Sequence, residues 1–348
     1  MIRWGIIGPG SIAHVFCNGL RFSQTGAAVA VASRDRQKAA QFADLFSIET
    51  VHASYDALLA DSGVDAVYVA TIHPAHLEWV EKAAAAGKHI LVEKPMGMNA
   101  IQVEAMVEAA RSNDVFLMEA FMYRCHPQMQ KVAELIADGA IGTVRVVRSA
   151  FGYRAGFNPD SRAYSRDLGG GGIMDVGCYP ASAARFVAGA ASEKAFLDPT
   201  EVKANGIIGE SGVDYYTAAT LRFENDVIGE ISTGVACNLP GEIAVFGEEG
   251  ILRVPQPWLP SSPCRTAQHA LPLDTTFPSS ELVLERGGSV EHIEVVADRD
   301  LFTYEADVVA AHIDARQAPT MNWDDSLGNM RLLDQWRAQI GLRYPQDA

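Results

Sequence analysis

The loop Gly8-Pro9-Gly10-Ser11-Ile12-Ala13 follows directly on an apolar run, Ile2 to Gly8, and leads into a helix-like stretch. No other feature narrows the folding options of this chain so far. An apolar strand, a glycine turn and a helix in that order open a βαβ unit. Gly8 permits the tight turn, and Gly10 lets the backbone approach a pyrophosphate. Ala13, where a third glycine is common, still permits close helix–strand packing. A helix starting at Ser11 and Ile12 would turn its first N–H groups and its positive dipole end toward the phosphates.

The next hundred residues repeat the theme. Apolar runs at Ala28–Ser33, Ala66–Thr71, His89–Lys94 and Val115–Ala120 alternate with helical patterns at Arg36–Leu45, Ala75–Ala86 and Ala100–Ser112. Continuous apolar strands alternating with helices predict a doubly wound parallel sheet of Rossmann type, covered on both faces. After about Arg124 the pattern changes. A helix at Pro127–Asp138 is followed by runs with strand spacing at Val144–Phe151, Val202–Ile208, Tyr215–Phe223, Val227–Val235 and Glu242–Phe246. Breaks such as Glu224-Asn225-Asp226 predict hairpins in a mixed or antiparallel sheet. Pro255–Pro278 reads as an extended loop, and helical stretches near Thr303–Ala315 and Asp325–Ile340 close the chain. The expected architecture is α/β: a Rossmann domain over residues 1–122, then an α+β domain over 123–348 with an open-faced, largely antiparallel sheet. The closing helices are free to pack back on the first domain.

A formal net charge of −15 disfavours nucleic acid and anionic membrane surfaces as partners, while local N–H groups can still hold an anionic cofactor. The five cysteines, widely spaced and without a C-x-x-C pair, fit a reducing, cytoplasmic compartment rather than a disulfide framework or structural zinc. His73 and His76 have a spacing compatible with metal ligation but lack companion ligands, so no metal is expected. The end of the second strand bears on the cofactor. An NAD site usually carries Asp or Glu there for the ribose 2′-hydroxyl. This chain has Ser33-Arg34, with Lys38 a turn later, and a hydroxyl with a guanidinium suits a 2′-phosphate. NADP is therefore expected, with NAD the alternative.

Glu93-Lys94-Pro95 follows a strand of the parallel sheet, at whose carboxyl ends ligands lie, so Lys94 would project toward the nicotinamide. These residues, with the glycine loop, Thr71-Ile72-His73-Pro74-Ala75-His76, Glu93-Lys94-Pro95-Met96-Gly97, Gly169–Gly172 and Asp175-Val176-Gly177-Cys178-Tyr179, resemble the Gfo/Idh/MocA family of dehydrogenases over essentially the whole chain. Met118-Glu119-Ala120 and Tyr123-Arg124-Cys125-His126-Pro127 resemble its branch of dihydrodiol dehydrogenases and NADP-dependent D-xylose dehydrogenases. The resemblance implies an active site between the two domains, a catalytic Lys94 before a cis Pro95, and a cofactor lined by Thr71, Ile72, His73, His76 and Glu93. It also implies a further cofactor residue before the glycine run, for which Arg162 is the candidate.

Many members have His where this chain has Tyr179. A free tyrosine is a poor acid or base, but a neighbouring lysine cation eases its ionisation. Asp175 and Tyr179 stand one helical turn apart, although Pro180 argues for a helix that starts near Tyr179. Tyr153 and His126 are further candidates for the substrate pocket. The expected chemistry is hydride transfer between NADP and the hydroxyl-bearing carbon of a sugar, polyol or cyclic diol. Tyr179 takes the proton, Lys94 stabilises the oxygen charge, and Asp175 orients the substrate. The alternatives are an NAD-dependent inositol or aldose dehydrogenase and a non-catalytic dinucleotide or sugar sensor. The sheet face of the second domain would need covering, which points to a homo-oligomer, a dimer or tetramer.

Overall fold

The computed structural model of the chain describes residues 1–266 and 269–347. Part of the expected Pro255–Pro278 loop, residues 267–268, lies outside the described residues.

Eleven elements build the first sheet and its covering helices: β1 (Ile2–Ile7), α1 (Ser11–Leu20), β2 (Gly26–Ala32), α2 (Arg36–Phe46), β3 (Thr50–His52), α3 (Tyr55–Leu59), β4 (Ala66–Val69), α4 (His76–Ala85), β5 (His89–Glu93), α5 (Ala100–Ser112) and β6 (Leu117–Ala120). The six strands are ordered β3-β2-β1-β4-β5-β6 and every pairing is parallel. Strand order reverses beside β1, so the crevice for a dinucleotide opens where β1 and β4 end. The inner strands are buried on both faces, as their largely apolar runs require: all four residues of β4 and of β6 are buried. Inside, Phe16 stacks on Tyr68 with ring centroids 4.1 Å apart, and Trp4 meets Phe16 edge-on at 5.4 Å. Each such burial contributes about 1.5–3 kcal/mol. The three-residue β3 had no readable run of its own.

The second part comprises α6 (Met122–Cys125), α7 (Pro127–Ala137), β7 (Val144–Arg154), α8 (Cys178–Ala190), β8 (Glu201–Ile208), β9 (Asp214–Arg222), β10 (Ile228–Gly234), β11 (Ala236–Leu239), β12 (Ile243–Gly247), β13 (Gly250–Val254), β14 (Ser280–Arg286), β15 (Ser289–Val295), α9 (Leu301–His312) and α10 (Trp323–Gln339). Its sheet runs β15-β14-β13-β12-β7-β10-β9-β8, with β11 on β7; β7 and β10 pair parallel and the other pairings are antiparallel. The hairpin β14–β15 and strand β13 extend the sheet beyond the strands the sequence announces. One face is packed by α8 and α10. On the other, Ile207, Tyr216 and Ile228 are exposed, and strict alternation along β9 follows from that one-sided burial.

The closing helices do return to the first sheet. Asp300 caps α9, Thr303 Oγ1 donates to Gly19 O at 2.6 Å, and Ser23 and Thr25 hydroxyls both donate to Asp307 Oδ1 at 2.6 Å. In α10, Trp323 Nε1 donates to Leu117 O at 3.0 Å, while Trp336 Nε1 donates to Thr217 Oγ1 at 2.9 Å. One helix thus clamps β6 of the first sheet to β9 of the second. A buried ion network reinforces the joint: Asp325 of α10 takes Arg124 of α6 at 3.1 Å and Arg185 of α8 at 2.5 Å. Removing one partner from such a network strands a buried charge, which costs about 3–5 kcal/mol.

Candidate active site

Gly8 ends β1 with φ of 89°, a left-handed conformation that a side chain would strain, and an added Cβ would sit 3.1 Å from Ala70 O. Gly10 differs: a Cβ there would meet no protein atom within 4 Å. Its lack of a side chain leaves open a space in front of α1. No side chain caps α1, whereas Asp35, Ser54 and Asn99 cap α2, α3 and α5. The N–H groups of Ser11, Ile12 and Ala13 at this end belong to the first turn, which has no intrahelical acceptors. A pyrophosphate would supply them, and the bare Gly10 gives it room. Ser11 is exposed, Ile12 half-buried and Ala13 buried against the sheet.

Asp35 accepts from the Gln37 and Lys38 N–H groups, so its carboxylate is spent on capping α2. Ser33 Oγ accepts from Asp35 N at 3.1 Å. Arg34 and Lys38 are exposed at the rim of the crevice. Cations with no committed carboxylate at this point suit a 2′-phosphate.

Across the strand ends, Thr71 and Ile72 are half-buried, and His73 and His76 are buried. Thr71 Oγ1 and His73 Nδ1 have no hydrogen-bond partner among the described residues, and such orphans in a crevice fit ligand hydroxyl or amide groups. Burial, with the neighbouring His76, Arg162 and Lys94 charges, holds His73 neutral, well below the usual imidazole range. His76 is not an open ligand group. Its Nδ1 faces the Pro95 and Met96 carbonyl oxygens at 3.2 and 3.1 Å, and its Nε2 faces Thr71 O at 3.1 Å. Burial lowers its pKa to about 4, so it carries one proton, which the pair of carbonyls assigns to Nδ1. Through that proton His76 ties the start of α4 to the turn after Lys94. Glu93 is likewise turned inward. The Tyr68 hydroxyl donates to its carboxyl, and burial raises its pKa against the opposing pull of Lys94.

The remaining candidate residues, His126 apart, gather between the sheets. Lys94, at the end of β5 and before a cis Pro95, donates from Nζ to the backbone oxygen of Asp175 at 2.7 Å. The same Nζ stands 5.1 Å from the centre of the Tyr179 ring. Asp175 does not share an α-helix with Tyr179. It lies in a π-helical turn, Ile173–Gly177, and α8 begins at Cys178. Pro180 is thus in the first turn of α8, where its missing N–H costs nothing. Lys94 touches both elements, through the Asp175 backbone oxygen and the Tyr179 ring.

Asp175 is 3% exposed, with Oδ1 accepting from Arg162 at 2.7 Å and Oδ2 accepting from the Tyr153 hydroxyl. Burial opposes its ionisation, but Arg162 and Lys94 outweigh it and hold the carboxyl below its ordinary range. Burial, and then the Asp175 charge, push the Tyr153 phenol up, so it stays a neutral donor. Arg162 thus meets Asp175 rather than standing alone at the cofactor. Tyr179 is packed edge-on against Phe121, Phe151 and Trp258 at 5.3–5.5 Å, and its hydroxyl points toward Met122 Sδ at 3.5 Å.

The structure does not bring His126 into this group. Its Nδ1 accepts from Gln128 N at 3.1 Å as the cap of α7, and its Nε2 donates to Ser261 Oγ at 3.2 Å. Burial lowers its pKa to about 4. Its place before Pro127 was the legible sign of a cap. The aromatic wall was missed: Phe151 and Trp258 come from a strand and from the Pro-rich loop, and nothing in their spacing links them to Tyr179. Among the described residues no group of three His, Cys, Asp or Glu side chains could hold a metal.

Residues 2–121 match the Gfo/Idh/MocA oxidoreductase family, NAD-binding Rossmann fold, and residues 129–253 match the Gfo/Idh/MocA C-terminal domain. The trans-1,2-dihydrobenzene-1,2-diol dehydrogenase of Danio rerio is 34% identical, covering 100% of this chain and 99% of that protein. The D-xylose 1-dehydrogenase (NADP(+)) 2 of Haloferax volcanii is 32% identical over 88% of this chain and 87% of its own. Among solved structures, a 3-ketoreductase from Actinomadura kijaniata in complex with NADP and TDP-benzene superposes with a TM-score of 0.83 at 28% identity, covering 97% of this chain and 98% of that one.

Proposed function

Because this chain belongs to the Gfo/Idh/MocA oxidoreductase family, we propose that it transfers hydride between NADP and the hydroxyl- or carbonyl-bearing carbon of a sugar, polyol or cyclic diol. The observation that carries the reading is Lys94 Nζ, held between the Asp175 backbone and the Tyr179 ring at the carboxyl end of β5.

Residues 1–122 would bind the dinucleotide through the α1 N-terminus, with Arg34, Lys38 and Ser33 at the 2′-phosphate and Thr71 and His73 on the ribose and nicotinamide side. When bound, the nicotinamide supplies the two-electron hydride acceptor or donor. In oxidation, Tyr179, ionised beside the Lys94 cation, would take the substrate hydroxyl proton and become the neutral phenol as the carbon–hydrogen bond gives its hydride to the nicotinamide. Lys94 stabilises the oxygen charge on Tyr179 and on the reacting centre. Asp175, held ionised by Arg162 and steadied by Tyr153, accepts a hydrogen bond from a second substrate hydroxyl. A substrate with neighbouring hydroxyls satisfies both contacts, and sugars and diols share that feature.

The test is a panel of aldoses, polyols and cyclic diols with NADP and NAD, read by nicotinamide absorbance. Turnover with NADP on at least one vicinal diol is expected; dinucleotide binding without turnover on any of them would sink the reading. We also infer a homo-oligomer through the exposed face bearing Ile207, Tyr216 and Ile228, and a monomeric mass by light scattering would remove that inference. Among the described residues no helix is long and apolar enough to cross a membrane. We also propose a cytoplasmic site of action, a reading that the five free cysteines support.

A further inference from the structure

Glu119 lies in β6 between Met118 and Ala120, in a strand otherwise apolar. It is 2% exposed. An acidic side chain is an unfavourable occupant of such a strand unless its hydrogen bond does something an apolar neighbour could not. Glu119 Oε1 accepts from the Met96 N–H at 2.8 Å. Met96 is the second residue after Lys94, and His76 meets the same turn from the other flank through the Pro95 and Met96 carbonyl oxygens. The backbone that carries Lys94 is therefore gripped from both sides by buried side chains, one from β6 and one from α4.

Lys94 depends on that grip. Its ammonium must reach Asp175 O, 2.7 Å away, and stay over the Tyr179 ring, and both lie in the second part of the chain. A shift of the turn by about 1 Å is enough to cost roughly 100-fold in rate when reacting groups must be aligned. Arg185 of α8 and Asp325 of α10 also face Glu119 with opposing effects on its charge, and both belong to the network that clamps the two sheets. The brace on the turn is thereby connected to the joint between them.

We propose that Glu119 is a positioning residue for Lys94, holding the Lys94–Met96 turn through the Met96 N–H so that the ammonium meets Tyr179 and substrate. The proposal rests on the hydride-transfer reading for its kinetic consequence and on the Met96 hydrogen bond for its structural one.

Both are measured on the full chain. Glu119→Gln keeps an oxygen acceptor in place, and its kcat stays within about 3-fold of the native value. Glu119→Leu fills the space without an acceptor, and kcat falls roughly 30- to 100-fold. The KM for NADP moves less than about 2-fold, because the phosphate-binding end of α1 is untouched. Glu119→Asp, which keeps the charge but withdraws it by one methylene, gives a second reading should the Leu variant not fold, and it too loses kcat. Hydrogen exchange at the Met96 amide, followed by NMR, is slow in the native chain and in Glu119→Gln and at least about 10-fold faster in Glu119→Leu and Glu119→Asp. A folded Glu119→Leu with native kcat overturns the proposal, as does a Gln variant as impaired as the Leu variant. If the native chain turns over no substrate while Met96 exchange follows the expected pattern, the functional reading fails and the brace stands. If Met96 exchanges alike in all four proteins, the brace fails whatever the turnover.

Discussion

The Lys94 ammonium donates to the backbone oxygen of Asp175 at 2.7 Å, a hydrogen bond between the end of one sheet's strand and the π-helical turn that leads into the helix of the other. Because the acceptor is a main-chain atom, the lysine is aimed without being neutralised. Its charge stays available to the Tyr179 ring 5.1 Å away and to a substrate oxygen.

Lys94→Met removes that charge and keeps most of the side-chain volume. Turnover should fall by at least about 1,000-fold, the loss of a charge that stabilises a developing oxyanion in a water-poor site. Affinity for NADPH, measured by fluorescence quenching, should change by less than about 3-fold, since the phosphates are held at α1. Substantial retained turnover would take Lys94 out of the mechanism.

Tyr179→Phe tests the hydroxyl alone. The ring keeps its edge-on contacts with Phe121, Phe151 and Trp258, and the substitution removes the hydroxyl's 3.5 Å contact with Met122 Sδ, a weak acceptor. Thermal stability should hold within about 2 °C. The kcat should drop roughly 100- to 10,000-fold, the range of a lost general acid–base. A variant that melts much earlier but keeps its kcat would make Tyr179 a packing residue.

Arg34→Asp places a carboxylate where the 2′-phosphate of NADP is expected. The ratio of kcat/KM for NADP over NAD should fall by at least about 10-fold, the worth of one charge-assisted hydrogen bond. An unchanged ratio would show that Arg34 stands free of the phosphate in solution.

Burial pushes both Glu119 and Asp214 up to about 7, from ordinary values of 4.5 and 3.8. Between those values and 7 the folded chain holds protons that the unfolded chain has released. Each group therefore favours the fold at low pH, and that contribution is lost as pH rises toward 7, by about 3 kcal/mol for Glu119 and about 4 kcal/mol for Asp214 in the limit. Asp214 Oδ2 accepts from Ile173 N at 2.9 Å, at the start of the π-helical turn, and Asp214→Asn keeps an acceptor there without the titration. Urea unfolding from pH 4 to 8 should show the variant gaining on the native chain as pH rises. A constant difference would mean that Asp214 titrates normally.

The first sheet was open to inspection in the sequence because each of its larger strands is an unbroken apolar run and its loop carries Gly8 and Gly10. The local chemistry that a short segment can contain, an uncapped helix end or Asp35 turned into a cap, is set by neighbours in sequence. His126 was read as a pocket candidate, whereas it caps α7 before Pro127, a role set by its neighbours in sequence. The partly exposed strands β13, β14 and β15 carried weaker patterns, because one-sided burial leaves room for polar residues and blurs the alternation.

What the sequence by itself determined is therefore the order of the main elements and the glycine loop, while the family resemblance pointed to Lys94, Asp175 and Tyr179 as a candidate set. The tertiary structure decided how they meet. Asp175 sits in a π-helical turn and Tyr179 in the α-helix that follows, and Lys94, 81 residues before Asp175, meets the Asp175 backbone oxygen and the Tyr179 ring from the other sheet. Arg162, Tyr153, Trp258 and Glu119 take their places by the same route, through contacts between residues distant in the chain. Such contacts depend on how two sheets are docked by α10 and the Asp325 network, and no periodicity or spacing encodes that docking locally.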